Sequence, residues 1–457
     1  MEQETIVAIS TPVGRGGIGV VRLSGARARE IVAPLVRLRH PLAAGRARFG
    51  ELVDVATGAV LDEAVVTFFA APNSYTGEDV VEIAAHGSPV LLEYIVRQCC
   101  AGGARLAEPG EFTQRAFLAG RIDLTQAEAV NDLIGSVTLE QARVAARQMG
   151  GALAKTVAPV KAGLVGLIAE MEAGIDFAED DIDVMAAERI AAKIAEVRAP
   201  LVALERSFAY GRVVREGFRL AIVGRPNAGK SSLFNRLVER DRAIVTAAPG
   251  TTRDTVSERV SMEGIPVELI DTAGLRNREG MDEAERMGVA RSREAMAEAD
   301  VVLLVVDATV GISQEDRAVL EQGASSGNAV LVAWNKSDLV EEDRGPESGV
   351  REVQTISTSA LTGDGIAELR TAIVGAVAGA EGGLREAAML TNLRQHQAVE
   401  QALRGLDAAR LAVAVGIPHE MLLLDLYESL HSLDALTGAT TSEDVLRLIF
   451  SKFCIGK

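Results

Sequence analysis

The chain has 457 residues, of which 48% are apolar and 24% are charged, and its formal net charge is −17. This length predicts two or three domains with substantial cores, and the apolar content excludes a disordered chain. The acidic balance excludes a surface that broadly coats nucleic acid, but it does not exclude a local basic patch. Because only 4% of residues are aromatic, a stacking platform for single strands is not expected.

The sequence also bears on where the protein works. No apolar run approaches the ~18 residues that a membrane span needs, and the first residues lack the basic region of a signal peptide. The three cysteines form neither a disulfide framework nor a metal-binding spacing. We therefore expect a cytoplasmic protein with no membrane contact.

Residues 1–119 alternate short strands and helices between turn clusters, which predicts an α+β domain. The predicted strands are Thr5–Ile9, Gly19–Leu23, Ala64–Phe69 and Val80–Ala84, and the predicted helices are Ala26–Leu35 and Pro89–Ala101.

Helical periodicity dominates two later regions, 120–215 and 379–457. The predicted helices are Leu124–Ala146, Thr156–Met171, Ala186–Phe208, Leu384–Ala414, Glu420–Thr437 and Ser442–Phe453. Residues 216–378 between them carry the pattern of an α/β P-loop GTPase domain of Ras-like type. The simplest organisation is one all-α domain in two halves with the GTPase domain inserted, since insertion at an exposed loop is well tolerated.

The GTPase prediction rests first on a complete P-loop pattern, Gly224 to Ser231, which follows an apolar strand and precedes a helix. Backbone N–H groups of such a loop cradle phosphates, aided by the helix N-terminus. Lys230 is predicted to reach the β- and γ-phosphates, and Ser231 to bind Mg²⁺. The predicted GTP-binding residues here are Asn227, Ala228, Gly229, Lys230, Ser231 and Ser232.

The nucleotide base is indicated by Asn335, Lys336 and Asp338, which follow the apolar strand Ala329–Trp334. A carboxylate placed like that of Asp338 accepts two hydrogen bonds from guanine, whereas adenine would leave a buried carboxylate unpaired. Backbone N–H groups of a second segment are predicted to reach the guanine oxygen; its residues are Ser359, Ala360 and Leu361.

Two further segments complete the set. One ends a strand and is predicted to lie at Mg²⁺ and the γ-phosphate; its residues are Asp271, Thr272, Ala273 and Gly274. Thr252 is predicted to be the switch threonine on Mg²⁺. Ras-type GTPases place a glutamine just after that glycine to orient the attacking water. Leu275 stands there instead, so water orientation must come from elsewhere.

With these motifs, the chain resembles the tRNA-modifying GTPase family called MnmE or TrmE over its whole length. The flanking segments that carry the resemblance are Gly14–Gly19, Asn73–Asp79, His86–Gly87, Pro109–Phe117 and the C-terminal Phe453–Lys457. Gly250–Asp254 and Asp271–Arg276 add to it within the GTPase domain.

The resemblance implies a homodimer that works on tRNA with a FAD-dependent flavoprotein of MnmG or GidA type. The pair adds an aminomethyl or carboxymethylaminomethyl group to C5 of the wobble uridine, position 34, of certain tRNAs. The one-carbon unit would come from a tetrahydrofolate, in its 5-formyl or 5,10-methylene form, held in the N-terminal domain, which also dimerises. K⁺-dependent dimerisation of the GTPase domains would replace an arginine finger and compensate for Leu275.

The resemblance also assigns site residues. K⁺ would be bound by Asn227 and by the loop that contains Thr246, Ala248 and Thr251. Catalytic roles fall to Thr252, Glu285 and Cys454, with Glu283 an alternative to Glu285 and structural packing an alternative for Cys454. The folate-binding residues would be Arg22, Glu82, Arg121 and Lys457, because a pterin edge suits a carboxylate and the folate glutamate tail suits cations.

Two other functions compete with this one. A ribosome-assembly GTPase would share the same GTPase motifs but usually carries a basic RNA-binding appendage. A folate-dependent one-carbon transferase regulated by GTP would modify tRNA without a flavoprotein.

Overall fold

A computed structural model describes residues 4–176, 185–238, 258–270, 296–340, 353–378, 388–440 and 442–456. The chain forms two compact units, Met1–Asn131 with Asp434–Lys457, and Asp132–Leu433. The strands are β1 Ile6–Ile9, β2 Gly16–Ser24, β3 Val36–Leu38, β4 Arg46–Val53, β5 Val60–Phe69, β6 Val80–Gly87, β7 Arg105–Leu106, β8 Phe218–Val223, β9 Glu258–Met262, β10 Ile265–Ile270, β11 Val301–Asp307, β12 Ala329–Asn335 and β13 Gln354–Ser357. The helices are α1 Ala28–Val32, α2 Pro89–Ala101, α3 Glu111–Leu118, α4 Leu124–Gly135, α5 Leu139–Met149, α6 Ala152–Asp176, α7 Ala187–Glu216, α8 Lys230–Val238, α9 Gln314–Ser325, α10 Ile366–Ala378, α11 Leu393–Ala414, α12 His419–Thr437 and α13 Glu443–Phe450.

The first unit is built on a seven-stranded sheet in the order β3-β4-β5-β6-β2-β1-β7. All neighbouring strands are antiparallel except β1 and β7, which are parallel. Apolar side chains of α1 and α2, including Ile31 and Ile95, pack with Val21 and Leu23 of β2 in the core. The sequence did not predict β3 and β4; β3 has only three residues, and β4 exposes Ala47 and Phe49 as well as Arg46.

The C-terminal segment belongs to this unit. Leu446, Phe450 and Phe453 pack with Leu124 and Ala127 in a buried cluster. The predicted helix Ser442–Phe453 is shorter in the structure, since α13 ends at Phe450 and a short tail follows. Asp434–Lys457 therefore groups with the N-terminal sheet, whereas the sequence reading had assigned it to the second helical half.

The second unit contains a six-stranded sheet in the order β13-β12-β11-β8-β10-β9. It is parallel except for the β9–β10 pair. Leu233 of α8 and Ile373 of α10 pack in the core on one face, and residues of α9 pack against the core on the other. This is a doubly wound α/β fold, in which ligands bind at the carboxyl ends of the strands. Together with the α+β unit and the long helices, it confirms the predicted multidomain fold class.

Capping residues correct two predicted helices. The single helix predicted over Leu124–Ala146 is broken, because Thr138 caps α5 in a reciprocal capping box with Gln141. The helix predicted from Leu384 begins at Leu393, where the Asn392 side chain accepts a hydrogen bond from the Gln395 N–H. Residues 379–387 lie outside the described residues.

One helical stretch, Leu139–Ile175, is long and apolar enough to cross a membrane by length and composition alone, with a mean hydropathy of 1.5. The sequence reading had found no run of that kind. One such stretch is weak evidence of a span, since core helices of globular proteins meet the same criteria. Here α6 packs against α7, and its Leu164 and Leu167 are fully buried.

Candidate functional site

The P-loop joins the end of β8 to the start of α8, and two of its glycines are required by positive φ angles and close contacts, one with backbone and one with a side chain. Gly224 has φ +141°, and a Cβ there would lie 2.3 Å from the Val305 carbonyl oxygen. Gly229 has φ +93°, and its Cβ would lie 2.2 Å from Asn335 Nδ2. Only glycine fits at both positions, so the loop is held tightly against β11 and β12.

Lys230 lies over its own loop. Its Nζ donates hydrogen bonds to the carbonyl oxygens of Gly224 at 2.7 Å and Arg225 at 2.8 Å. Burial lowers the pKa of the Lys230 ammonium. Ser231 and Ser232 are exposed in the first turn of α8, while Ala228 is buried. The cation and the helix N-terminus thus lie together at the loop.

Asn335 joins three of the predicted motifs. Its side chain is almost fully buried. Its Nδ2 donates to the Ala228 carbonyl oxygen at 2.9 Å, and its Oδ1 accepts from the Ala360 N–H at 3.1 Å. The P-loop, the Asn335–Asp338 segment and the Ser359–Leu361 segment therefore meet in one place.

Lys336 is held by an acid that the sequence reading did not single out. Lys336 has φ +65°, an uncommon conformation for a residue with a side chain. Its Nζ pairs with Asp307 Oδ2 at 2.6 Å. Burial alone would raise the pKa of Asp307, but hydrogen bonds from Lys336 and Thr309 outweigh it, so the pKa lies below its ordinary value. Asp307 is therefore the anionic anchor of this segment.

The predicted base-binding residues Asp338, Ser359 and Leu361 differ in exposure. Asp338 is exposed. The discrimination against adenine assumes a buried carboxylate, so it applies only when a bound base covers Asp338. Ser359 is buried, and its Oγ accepts from the Thr362 N–H at 3.1 Å. Leu361 is 76% exposed. Since the Ala360 N–H already binds Asn335, a bond to guanine would have to share that hydrogen.

A second anchor, also missed from the sequence, holds the P-loop arginine. Arg225 Nε lies 3.2 Å from Asp316 Oδ2, and its NH2 group donates to the Gly311 carbonyl oxygen at 2.9 Å. Asp316 is buried, and its carboxylate also accepts from the N–H and Oγ of Ser313 at the start of α9. The end of β11 thus holds Lys336, and the segment that follows it holds the P-loop.

Several predicted site residues lie outside the described residues: Thr246, Ala248, Thr251, Thr252, Asp271, Thr272, Ala273, Gly274, Glu283, Glu285 and Lys457. Asn227 is described; it is exposed, with φ +63°. Its side-chain amide makes no hydrogen bond to another described residue.

In the first unit, Arg22 and Glu82 form a pair that the sequence reading had placed in one site. They are register neighbours on β2 and β6. Arg22 Nε and NH2 each lie 2.8 Å from Glu82 Oε1. Arg22 NH1 also donates to the Gly456 carbonyl oxygen at 3.3 Å, and the guanidinium lies 5.7 Å from the centre of the Phe112 ring. The Arg22–Glu82 pair is therefore in direct contact with the C-terminal tail through Arg22.

Glycine is needed in that tail. Gly456 has φ +96°, and a Cβ would lie 2.4 Å from the Ile9 carbonyl oxygen. Its own carbonyl also accepts from Ser10 Oγ at 3.2 Å. Two residues earlier, the Cys454 carbonyl accepts from the Gly110 N–H at 3.4 Å, while the Cys454 side chain is exposed. The backbone of the tail is thus bound to the sheet and to the start of α3.

Arg121 is not part of the Arg22–Glu82 pair. It is exposed just after α3, with its side-chain methylenes beside Gly77. Among the described residues, no hydrogen bond joins the Arg121 side chain to Arg22 or Glu82. Phe112, which the sequence reading had not named, lies closer to the pair. One sequence feature could have identified Phe112: it is a large apolar residue in the mostly polar Pro109–Phe117 segment, and such a residue needs a buried contact.

A P-loop at the end of β8, tied by Asn335 to an Asn-Lys-Ser-Asp segment at the end of β12, defines the GTPase class of P-loop proteins. Family models match most of the chain: the MnmE helical domain over residues 124–454, and the N-terminus of the GTP-binding protein TrmE over residues 5–121. A tRNA modification GTPase MnmE of Koribacter versatilis is 57% identical, with 99% of each chain covered. One of Acetivibrio thermocellus is 40% identical, with 100% of each chain covered.

The chain belongs to the MnmE family of tRNA modification GTPases, which confirms the resemblance drawn from the motifs and makes it a GTP hydrolase. A solved structure of Aquifex aeolicus Era bound to GDP and AlF4⁻ is 26% identical. It covers 41% of this chain and 66% of that one, and its TM-score of 0.28 is too low to bear on the site.

Proposed function

We propose that this chain hydrolyses GTP to support modification of C5 of the wobble uridine, position 34, of certain tRNAs. It would act in the cytoplasm as a homodimer with a FAD-dependent flavoprotein of MnmG or GidA type. The added group is aminomethyl or carboxymethylaminomethyl, and a tetrahydrofolate supplies its carbon. We assign residues 1–119 to the folate-binding and dimerisation domain, 120–215 and 379–433 to the helical domain, and 216–378 to the GTPase domain, while Asp434–Lys457 groups with the N-terminal sheet.

The observation that carries the folate part is the contact of Arg22 with both Glu82 and the Gly456 carbonyl oxygen. A half-buried carboxylate suits the amino and N3 edge of a pterin, and a guanidinium suits a carboxylate of the glutamate tail. Lys457, the next residue of the tail, and Arg121 would add positive charge. When bound, the folate would supply the one-carbon unit. Cys454 is an exposed thiol of the same tail, which supports its proposed catalytic role.

The GTP part is supported by the loop geometry. Lys230 would bind the β- and γ-phosphates, Ser231 and Thr252 would bind Mg²⁺, and Asp271 to Gly274 would lie at the γ-phosphate. Asn335, Lys336 and Asp338 would bind the base, with Ser359 to Leu361 beside it. The required Gly224 and Gly229 support a phosphate cradle, because their lack of Cβ lets backbone N–H groups approach a ligand closely.

Leu275 has no polar atom, so another group must activate the attacking water. We propose that K⁺, bound by Asn227, Thr246, Ala248 and Thr251, pairs two GTPase domains, and that Glu285 positions the water. The exposed amide of Asn227, in its left-handed conformation, supports this role. GTP turnover in KCl and in NaCl at matched ionic strength tests it. A large K⁺ preference that Asn227→Ala removes is expected, and equal rates would overturn the cation role while leaving the GTPase intact.

The whole proposal is tested by nucleoside analysis of tRNA from bacteria that lack the gene. Complementation with the wild-type chain should restore the modified wobble uridine, whereas Arg22→Ala and Glu82→Ala should not. Both variants should retain GTP turnover, because the pair lies in the other compact unit. If the strain that lacks the gene shows the same wobble nucleosides as the complemented strain, the proposed function is wrong.

A further inference from the structure

One edge of the N-terminal sheet is strongly basic in a chain whose net charge is −17. Residues 31–50 contain four arginines, Arg37, Arg39, Arg46 and Arg48, together with His40, and no acidic residue. They lie on β3, β4 and the connection between them, at the end of the sheet order. We call this set of five residues the basic edge.

The charges of the basic edge are largely uncompensated. Arg37 pairs with Glu51 at 2.8 Å, and Arg48 Nε donates to the Pro41 carbonyl oxygen at 3.2 Å. Arg39, His40 and Arg46 are exposed, and their side chains make no hydrogen bond or ion pair with another described residue. Two arginines of the set, Arg39 and Arg46, are therefore fully available to an anionic partner.

The strand neighbours of Arg46 and Arg48 are uncharged, whereas Glu51 and Glu63 are register neighbours farther along the same two strands. Arg46 and Arg48 are register neighbours of Phe68 and Val66 on β5, which carry no charge. Arg29, outside the basic edge, lies with its guanidinium 4.7 Å from the centre of the Phe68 ring. Phe49 of β4 is 59% exposed, but because side chains alternate along a strand it lies on the face opposite Arg46 and Arg48. The arginines themselves suit the backbone of a nucleic acid, since a guanidinium binds phosphate.

We propose that the basic edge binds the phosphate backbone of tRNA; this rests on the proposed function, in which tRNA is the substrate. An acidic protein would have to overcome general repulsion from this chain to bind a tRNA, and a local cluster of arginines reduces that repulsion where contact is made. The cluster is too small to coat nucleic acid broadly, which agrees with the overall composition.

A competing explanation is that the arginines guard an edge strand. Positive side chains on β3 would prevent edge-to-edge pairing with another sheet. The two roles make opposite predictions for removal of the arginines. If they prevent edge pairing, their removal causes self-association and leaves RNA affinity unchanged. If they bind phosphate, their removal lowers RNA affinity and leaves the oligomeric state unchanged.

The test uses the full-length chain and a fluorescein-labelled, unmodified tRNA transcript whose anticodon begins with uridine. Binding is followed by fluorescence anisotropy across a NaCl series at constant KCl. For the double variant Arg39→Gln with Arg46→Gln, we expect at least about fivefold weaker binding near 0.1 M salt, and a salt slope smaller by about 1.5. The double variant Arg39→Lys with Arg46→Lys should retain most of the affinity for tRNA and most of the salt slope.

A matched control removes the same charge elsewhere. Arg206→Gln with Arg212→Gln changes two exposed arginines of α7 and should leave affinity and slope near the wild-type values. GTP turnover and size-exclusion chromatography show that each variant is folded and whether it self-associates. If the glutamine variant binds tRNA as the wild type does, the basic edge is not the tRNA surface, while the proposed function stands. If the wild-type chain itself binds no tRNA at any salt, the surface is refuted and the substrate part of the proposed function fails with it.

Discussion

Lys336 and Asp307 form a 2.6 Å ion pair between the ends of the adjacent parallel strands β12 and β11. Lys336 belongs to the guanine motif, whereas Asp307 belongs to no GTPase motif recognised in the sequence. The pair holds a lysine whose backbone has φ +65°. Since Asn335 next to it bonds to the P-loop, a change at Asp307 should be felt in nucleotide binding.

Asp307→Asn should speed release of a fluorescent GDP analogue by about fivefold, because a charge-assisted bond contributes roughly 1.5–3 kcal/mol and this one is partly solvated. Stopped-flow displacement measures the rate. Glu321→Gln, on the exposed face of α9, is the control and should not change it. An unaltered release rate in Asp307→Asn would show that the pair does not support the base site.

The same pair makes a prediction about pH. Because the pKa of Asp307 is held below its ordinary value, its contribution is complete at neutral pH and is lost only as pH falls below roughly 4. GDP release from the wild type should therefore be flat between pH 6 and 8 as far as Asp307 is concerned. A loss of Asp307-dependent stabilisation within that range, seen as wild-type and Asp307→Asn rates converging, would contradict the assigned charge state.

Asp316→Asn should loosen the P-loop, because its buried carboxylate binds Arg225 and caps the start of α9. We expect a loss of about 1–2 kcal/mol in unfolding free energy and weaker GTP binding. Urea unfolding and nucleotide titration measure these effects. The neighbouring exposed Glu315→Gln removes the same charge and should be neutral, so equal effects from both would indicate net charge rather than the anchor.

Asp338→Asn should reverse base selectivity. The carboxylate would accept two guanine donors, and the amide instead matches the carbonyl of xanthine, so xanthosine triphosphate should bind better than GTP. Competition between the two nucleotides measures the change. Unchanged GTP affinity in the variant would make the guanine assignment wrong.

Gly456→Ala should displace the C-terminal tail. Its Cβ would lie 2.4 Å from the Ile9 carbonyl oxygen, at a φ of +96° that disfavours a side chain. We expect about tenfold weaker binding of 5-formyltetrahydrofolate with unchanged GTP turnover, since strain of roughly 1–3 kcal/mol would be relieved by moving the tail. Gly17→Ala, whose Cβ meets nothing within 4 Å, is the control. Full folate affinity in Gly456→Ala would separate the tail from the folate site.

The cysteines should react in a fixed order with a maleimide at pH 8. Cys454 is exposed, Cys100 is half-buried and Cys99 is buried. Burial, with a smaller effect of Cys100, raises the pKa of Cys99 to about 12, so its reactive thiolate is scarce. Peptide mass spectrometry over time should find Cys454 labelled first and Cys99 last. Early labelling of Cys99 in the folded chain would contradict its buried position.

Local patterns explain what could be predicted. The bounds Pro89–Ala101 were correct because apolar periodicity and an early proline identify a helix without reference to the rest of the chain. The break before α5 was not predicted, because apolar periodicity continues across it. Thr138 and Gln141 nevertheless have the spacing of a capping box. β3 was missed although Val36, Arg37 and Leu38 alternate, because a strand of three residues is too short for its periodicity to stand out.

By itself, the sequence determined the chemistry of this protein: a P-loop, a guanine motif and flanking segments that assign it to one family. These features depend on residue type and short spacing, which a chain carries before it folds. The tertiary structure decided how distant groups meet, including Asn335 with Ala228, Lys336 with Asp307, and Arg22 with the Gly456 carbonyl. Each of these contacts spans 29 or more positions of chain and depends on strand order and register, which packing of the whole core selects and no local pattern encodes.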